Sequence, residues 1–221
     1  MATPKKAYKG LAMEGPIARW YATITARDLD RFAKVAQAVA TRVAPGGRVL
    51  EVAPGPGFLA IQLAQAARYT VTGLDISESF VRIALENARK AGVAVDFRHG
   101  NAAAMPFPDA SFDFVVCVAA FKNFSDPVGA LDEIHRVLKP RGQASIYDLR
   151  KDASLDEIAA GVRDMQLSTI NSLLTRWIFR FGLLRRAYGS QAVVNLVAQS
   201  RFRTCQLERD GIGFELRLVR T

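Results

Sequence analysis

The stretch Val49-Leu-Glu-Val-Ala-Pro-Gly-Pro-Gly-Phe-Leu-Ala60 decides the fold. A short β-branched run ends at a pair of glycines, and an apolar helical pattern, Phe58 to Ala67, follows at once. Glycine at 55 and 57 lets the backbone turn tightly and lets a ligand approach with no Cβ in the way. A helix that starts there aims its unsatisfied N–H groups and the positive end of its dipole at the turn, which favours a carboxylate or phosphate. Taken alone, Gly55-x-Gly57-x-x-Ala60 also fits a dinucleotide fingerprint. The flanking elements must therefore choose between ligands.

Working outward, Leu29 to Val43 places Phe32, Val35, Ala36, Val39 and Val43 at helical spacing and stops at Pro45-Gly46-Gly47. Downstream, Thr70 to Ile76 reads as a strand and Ser79 to Lys90 as a helix closed by Gly92. Strand patterns follow at Ala94 to His99, Phe112 to Ala119 and Gln143 to Leu149. Between the last two, Asp126-Pro127 opens a helix that carries Leu131, Ile134 and Leu138 inward and breaks at Pro140. Alternating strands and helices imply a parallel sheet covered on both faces. The chain ends differently. Thr204 to Glu208 and Ile212 to Val219, parted by Arg209-Asp210-Gly211, predict an antiparallel hairpin. The expected fold is thus α/β, a Rossmann-like, doubly wound, mostly parallel seven-stranded sheet with a C-terminal antiparallel hairpin. Lys151 to Gln199 reads as helical throughout, opened by a capping box at Ser154-Leu-Asp-Glu157.

Bulk properties narrow the partners. The 221 residues are 50% hydrophobic, enough for one substantial core. The two cysteines, Cys117 and Cys205, sit in apolar strand-like runs with no CxxC pair or His-rich neighbour, which argues against a disulfide framework or a metal site. No apolar run approaches the ~20 residues of a membrane span, and no apolar stretch follows Lys5, Lys6 and Lys9, so a cytoplasmic protein is expected. The net charge of +9 suits an anionic partner and leaves nucleic acid open on charge alone. A generally basic, Arg-rich proteome would give the same balance.

Asp75, at the end of the second strand, is placed to accept hydrogen bonds from both ribose hydroxyls of an adenosine ligand. Because Ser77 and Ser79 follow, a helix-capping role is the plainer alternative.

With these residues in order, EVAPGPG, then LDIS, then HGNAAAMPFPDASFDFVV, then DPVGALDEIHRVLKPRG, the chain resembles the small-molecule branch of class I S-adenosylmethionine-dependent methyltransferases, which includes enzymes that methylate quinone precursors. The resemblance spans about Val49 to Leu149. That fold ends in an antiparallel hairpin, which a dinucleotide dehydrogenase does not need. It implies S-adenosylmethionine as cofactor and a set of site residues. Glu51 would bind the methionine ammonium, and the backbone at Ala53 and Gly55 would hold the amino-acid end. Gly57 would permit close packing. Asp75 would take the ribose hydroxyls, Ile76 would pack on the adenine ring, and Asn101 and Ala102 would hold the adenine edge. Val118 and Ala119 would line the methyl path, and Met13 and Tyr21 would come from an N-terminal lid. The sequence departs from the family pattern at Ala53, where glycine is usual, at Asn101, where aspartate is commoner, and at Ala103, where glutamate is frequent. Somewhat weaker binding of the same cofactor follows from these departures.

On the acceptor side the resemblance puts Lys122 and Asn123 at the mouth of the site, where relatives often carry a His pair. Asp148, at the carboxyl end of the fifth strand, lies at the ligand edge of such sheets. Lys122 and Asp148 are the catalytic candidates, to orient or deprotonate an acceptor; a solvated loop lysine and a helix-start acid are the plain alternatives. His99 and His135 are weaker candidates. Trp177 and Phe181, in the basic stretch Ser168 to Gly189, complete the expected acceptor set, although Leu174 and Ile178 on the same pattern read as core.

The resulting expectation is a single methyltransferase domain over 1–221: a helical lid at 1–45, a cofactor core at 46–150, a helical insertion at 151–200 and a hairpin at 201–221. Its acceptor is expected to be a small, largely apolar or acidic metabolite. Three rival readings remain. An RNA methyltransferase would explain the charge, but neither an Asn/Asp-Pro-Pro-Tyr box, a Pro-Cys motif nor an appended RNA module is present. The others are a non-catalytic cofactor-binding protein and an NAD-binding reductase.

Overall fold

The computed structural model describes residues 8–9, 13–26, 29–66, 68–164, 184 and 187–221. The strands are β1 (Arg48–Val52), β2 (Thr70–Asp75), β3 (Asp96–His99), β4 (Phe112–Val118), β5 (Leu138–Leu149), β6 (Gln206–Asp210) and β7 (Gly213–Val219). They form a seven-stranded sheet in the order β3-β2-β1-β4-β5-β7-β6, in which β7 runs antiparallel to both neighbours and the remaining pairs are parallel. The described helices are α1 (Gly15–Thr25), α2 (Leu29–Ala40), α3 (Phe58–Gln65), α4 (Glu78–Lys90), α5 (Pro127–Val137), α6 (Leu155–Asp164) and α7 (Ser190–Gln199).

Side-chain alternation along the central strands divides the core in two. Leu50, Val52, Val115 and Cys117 face α5 and α7 and meet Leu131, Ile134, Val193 and Val197. Val49, Phe114, Val116 and Val118 face the other way, onto Val35, Val39, Leu59, Leu63, Ala84 and Ala88 of α2, α3 and α4. Strands buried on both faces read as nearly continuous apolar runs, as these do. The chain winds outward from β1 to β3 and then returns to place β4 on the other side of β1. That reversal opens a crevice above the carboxyl ends of β1 and β4, where open α/β sheets take their ligands.

Several boundaries differ from the sequence reading for identifiable reasons. The first long helical pattern ends at Ala40, although Val43 is still buried against the same core. The hairpin turns at Gly211-Ile212 and not at Arg209-Asp210-Gly211, because Asp210 pairs with Gly213 and Gly211 supplies the positive φ of 50°. The 151–199 stretch is not helical throughout: the chain bends at Ala187, and Tyr188 bridges to Arg150 just beyond the end of β5. The capping box forms, with Ser154 N donating to Glu157 Oε2 at 2.7 Å and Glu157 N to Ser154 Oγ at 3.2 Å. Trp177 and Phe181, with Leu174 and Ile178, lie outside the described residues. Among the described residues no helix is long and apolar enough to cross a membrane.

Candidate functional site

A cavity of about 360 Å³ occupies the crevice, within the size range of small-molecule sites. Its floor is the loop after β1. Ala53, Gly55 and Gly57 all take left-handed backbone, at φ of 57°, 54° and 82°. At Gly57, which caps α3, a Cβ would come within 2.7 Å of Phe97 and 2.9 Å of Ala84, so the helix can approach α4 and β3 only because no side chain is there. At Gly55 a Cβ would meet nothing within 4 Å, and its open side faces the cavity.

Two carboxylates stand over this loop. Glu51, on β1, is 2% exposed, and its Oε2 accepts from Ala60 N at 2.8 Å in the first turn of α3. Burial pushes its pKa up to about 8, against the pull of the Ala60 N–H and with a further push from Asp75. Asp75 ends β2, and its two oxygens accept from Gly55 N and Ser77 N, each at 2.9 Å. Burial raises its pKa too, opposed by those backbone bonds. The cap of α4 is Ser77, whose Oγ accepts from Phe80 N at 3.1 Å. Asp75 therefore ties the glycine loop to the end of β2, and its unused lone pairs are available to the cavity that it lines.

The opposite wall comes from the end of β4. Val118, Ala119, Ala120 and Asn123 line the cavity, and Ala119 is held at φ 59° with its N–H donating to Tyr147 O at 2.6 Å. Lys122 and Asp148 lie behind this wall and outside the cavity lining. Lys122 Nζ donates to Asp148 Oδ1 at 2.8 Å and to Ala119 O at 2.6 Å, while Lys122 N donates to Asp148 Oδ2 at 2.8 Å. The Asp148 side chain is 1% exposed. Tyr147 points to the other face of the sheet, where its hydroxyl donates to Glu215 at 2.9 Å.

The adenine-edge candidates also line the cavity. Asn101 turns its Oδ1 to Ala103 N at 2.9 Å, which leaves its amide NH₂ and the Ala102 backbone beside the space. Ile76 lines it half-exposed, and His99 stands outside with its Nε2 at 3.0 Å from Ile76 O. His135 packs edge-on against Phe202 at 5.0 Å, and burial lowers its pKa.

The N-terminal segment roofs the cavity through contacts that spacing alone does not reveal. Ser77 Oγ donates to Met13 O at 2.8 Å, Gly15 N to Ser79 Oγ at 2.9 Å, and Tyr21 stands edge-on to Phe80 at 5.7 Å. Further along the rim, Tyr8 pairs with Phe124, and Lys9 N donates to Asn123 O at 2.8 Å. Met13 and Tyr21 line the cavity, as do Tyr8, Arg31, Phe32, Phe80 and Phe124, none of which the sequence reading singled out for the site. No local motif marks them, because each reaches the cavity only through tertiary pairing.

Residues 50–146 match the family model described as a methyltransferase domain. Over 110 residues the chain is 39% identical to a demethylmenaquinone methyltransferase of Listeria welshimeri, covering 48% of this chain and 47% of that protein. The chain resembles class I methyltransferases. It spans about half the length of the curated relatives it matches. In three dimensions it is similar to a SAM-dependent methyltransferase from Aquifex aeolicus, with a TM-score of 0.66 at 20% identity over 88% of this chain and 99% of that one. The [4+2]-cyclase SpnF is also similar, at a TM-score of 0.56 and 23% identity over 85% of this chain and 80% of that one. Likeness at such identity establishes the fold, and chemistry has to be argued from the site.

Proposed function

We propose that this chain transfers a methyl group from S-adenosylmethionine to a small, largely apolar acceptor. The observation that carries the reading is the pair of buried carboxylates, Glu51 and Asp75, above an open glycine loop. Burial destabilises a carboxylate's charged form, and Glu51 has the Ala60 backbone N–H to offset that burial. A ligand that carries an ammonium group suits this position. An adenosine dinucleotide also presents a ribose to Asp75 but brings phosphates to the loop, where Glu51 would gain no cation.

The residues present fit the cofactor. When bound, S-adenosylmethionine supplies an electrophilic methyl on a sulfonium. Glu51 holds the ammonium, and the open backbone at Ala53 and Gly55 accommodates the amino-acid end. Asp75 accepts from the ribose, Ile76 covers the adenine, and Asn101 and Ala102 meet its edge. Gly57 keeps the loop close to α4. Val118 and Ala119 border the methyl side, and Met13 and Tyr21 close the roof. In-line displacement draws much of its acceleration from positioning, and the braced β4 rim supplies it. Lys122 and Asp148 serve this reaction as positioning residues, since each is bound to the other behind Ala119. Asn123 borders the acceptor.

The acceptor side is apolar around Tyr8, Phe32 and Phe124, with Arg31 at its margin. The named activity of the relatives suggests a demethylated quinone as the first compound to try. In the proposed division, residues 1–45 form a lid over the cofactor held by 46–150, 151–200 cover the acceptor, and 201–221 complete the sheet. Single-turnover transfer of labelled methyl to a panel of reduced demethylated quinones, other hydrophobic phenols and RNA tests this reading. Transfer to a panel member of the first two classes is expected. Transfer to RNA alone would overturn it.

A further inference from the structure

Helix α1 carries an apolar stripe on the outside of the molecule. Ile17, Trp20, Tyr21 and Ile24 follow one another at i, i+3, i+4 and i+7 and are 44%, 64%, 36% and 44% exposed. A surface helix ordinarily turns such a face to the core. Here the inward side is made of small residues, with Ala18 fully buried, and the largest side chains point away. Tyr21 belongs to both surfaces, because it lines the cavity and packs on Phe80. The stripe therefore runs to the cavity mouth.

Charge accompanies it. The first 43 residues hold eight Lys and Arg against three Asp and Glu, a net +5 out of the chain's +9. Lys9, Arg19, Arg31 and Lys34 are exposed, and Arg31 stands on the rim. Two exposed acids share the segment, Asp30 beside Arg31 and Glu14, whose Oε2 is engaged by Ser79 N at 3.1 Å, and the basic residues outnumber them.

We propose that α1 is an interfacial docking helix that seats the cavity mouth on an anionic lipid bilayer, from which an apolar acceptor enters. The part concerning the acceptor rests on the methyl-transfer reading; the docking does not. An exposed aromatic and aliphatic stripe beside basic residues is the combination that inserts into the headgroup region of anionic lipid. A second copy on the same face would oppose two basic segments and cover the mouth, so it fits less well.

Flotation with vesicles of phosphatidylcholine alone, or with about 30% phosphatidylglycerol, tests the proposal at about 0.1 M and 0.5 M salt. The whole chain should float with the anionic vesicles and much less with the neutral ones, and the higher salt should weaken binding. Trp20→Glu combined with Ile24→Glu should lower vesicle binding by at least about tenfold. Neither residue lines the cavity, so binding of S-adenosylmethionine in solution and the melting temperature should remain unchanged. Failure of the wild type to float with anionic vesicles, or undiminished flotation of the variant, overturns the proposal. So does a wild-type dimer in light scattering that the double variant splits without any vesicle binding. Vesicle binding without methyl transfer supports the docking and counts only against the functional reading.

Discussion

The two walls of the cavity are built in different ways. The wall over β1 and β2 comes from a continuous stretch in which strand, loop and helix follow one another, and its two carboxylates are held mainly by backbone N–H groups. The wall over β4 depends on distant partners. Lys122 reaches Asp148 across 26 residues, and Lys9 reaches Asn123 from the N-terminal segment. The first wall places two buried carboxyl groups, held by backbone N–H groups and, among the described residues, by no cation, at the cavity, whereas the second pairs its charges behind the surface. Ligand chemistry therefore belongs to the first wall and rigidity to the second.

The largest effect that sharpens this contrast is expected at Lys122. Lys122→Ala leaves Asp148 buried without its cation, which costs about 3–5 kcal/mol. Denaturant unfolding should show that loss, while replacing both partners with apolar residues of similar size should recover much of it. Full stability in Lys122→Ala would remove the distinction between the walls.

Next in size is Asp75→Ala. Losing hydrogen bonds to a charged group costs about 1.5–3 kcal/mol, so S-adenosylmethionine should bind at least about tenfold more weakly in calorimetry. Asp75→Asn keeps one acceptor and should lose less. An unchanged dissociation constant would place the ribose elsewhere.

The smallest effect concerns pH. With the Glu51 pKa raised to about 8, the carboxyl is mostly protonated at neutral pH in the free protein. Binding an ammonium group favours the ionised form, so affinity should rise by roughly tenfold from pH 6 to pH 7, with protons released. Stability of the free protein runs the other way. The folded state holds this proton above the unfolded carboxyl's ordinary pKa, so Glu51's contribution falls as pH climbs from the unfolded value through about 8. Glu51→Gln should flatten both dependences, which calorimetry in buffers of different ionisation enthalpy and thermal melts would register.

The same contrast explains what could be read from sequence. The glycine loop, the strand-end position of Asp75, the α5 cap at Asp126 and the terminal hairpin are each encoded within a few residues, so spacing and local chemistry reveal them. The enclosure of Lys122 and Asp148, the pairing of Tyr8 with Phe124 and the interruption at Tyr188 depend on contacts between segments far apart in the chain. Periodicity carries no record of such contacts. Asp75 lies between the two cases. Its position was legible, but its bond to Gly55 N required the fold.

The central claim is that the carboxyl-bearing wall holds a cationic adenosyl ligand, and isothermal calorimetry on the wild-type chain tests it most directly. The account predicts micromolar binding of S-adenosylmethionine and of its demethylated product, with no heat from NAD. Saturable NAD binding with no response to either sulfur compound would contradict it.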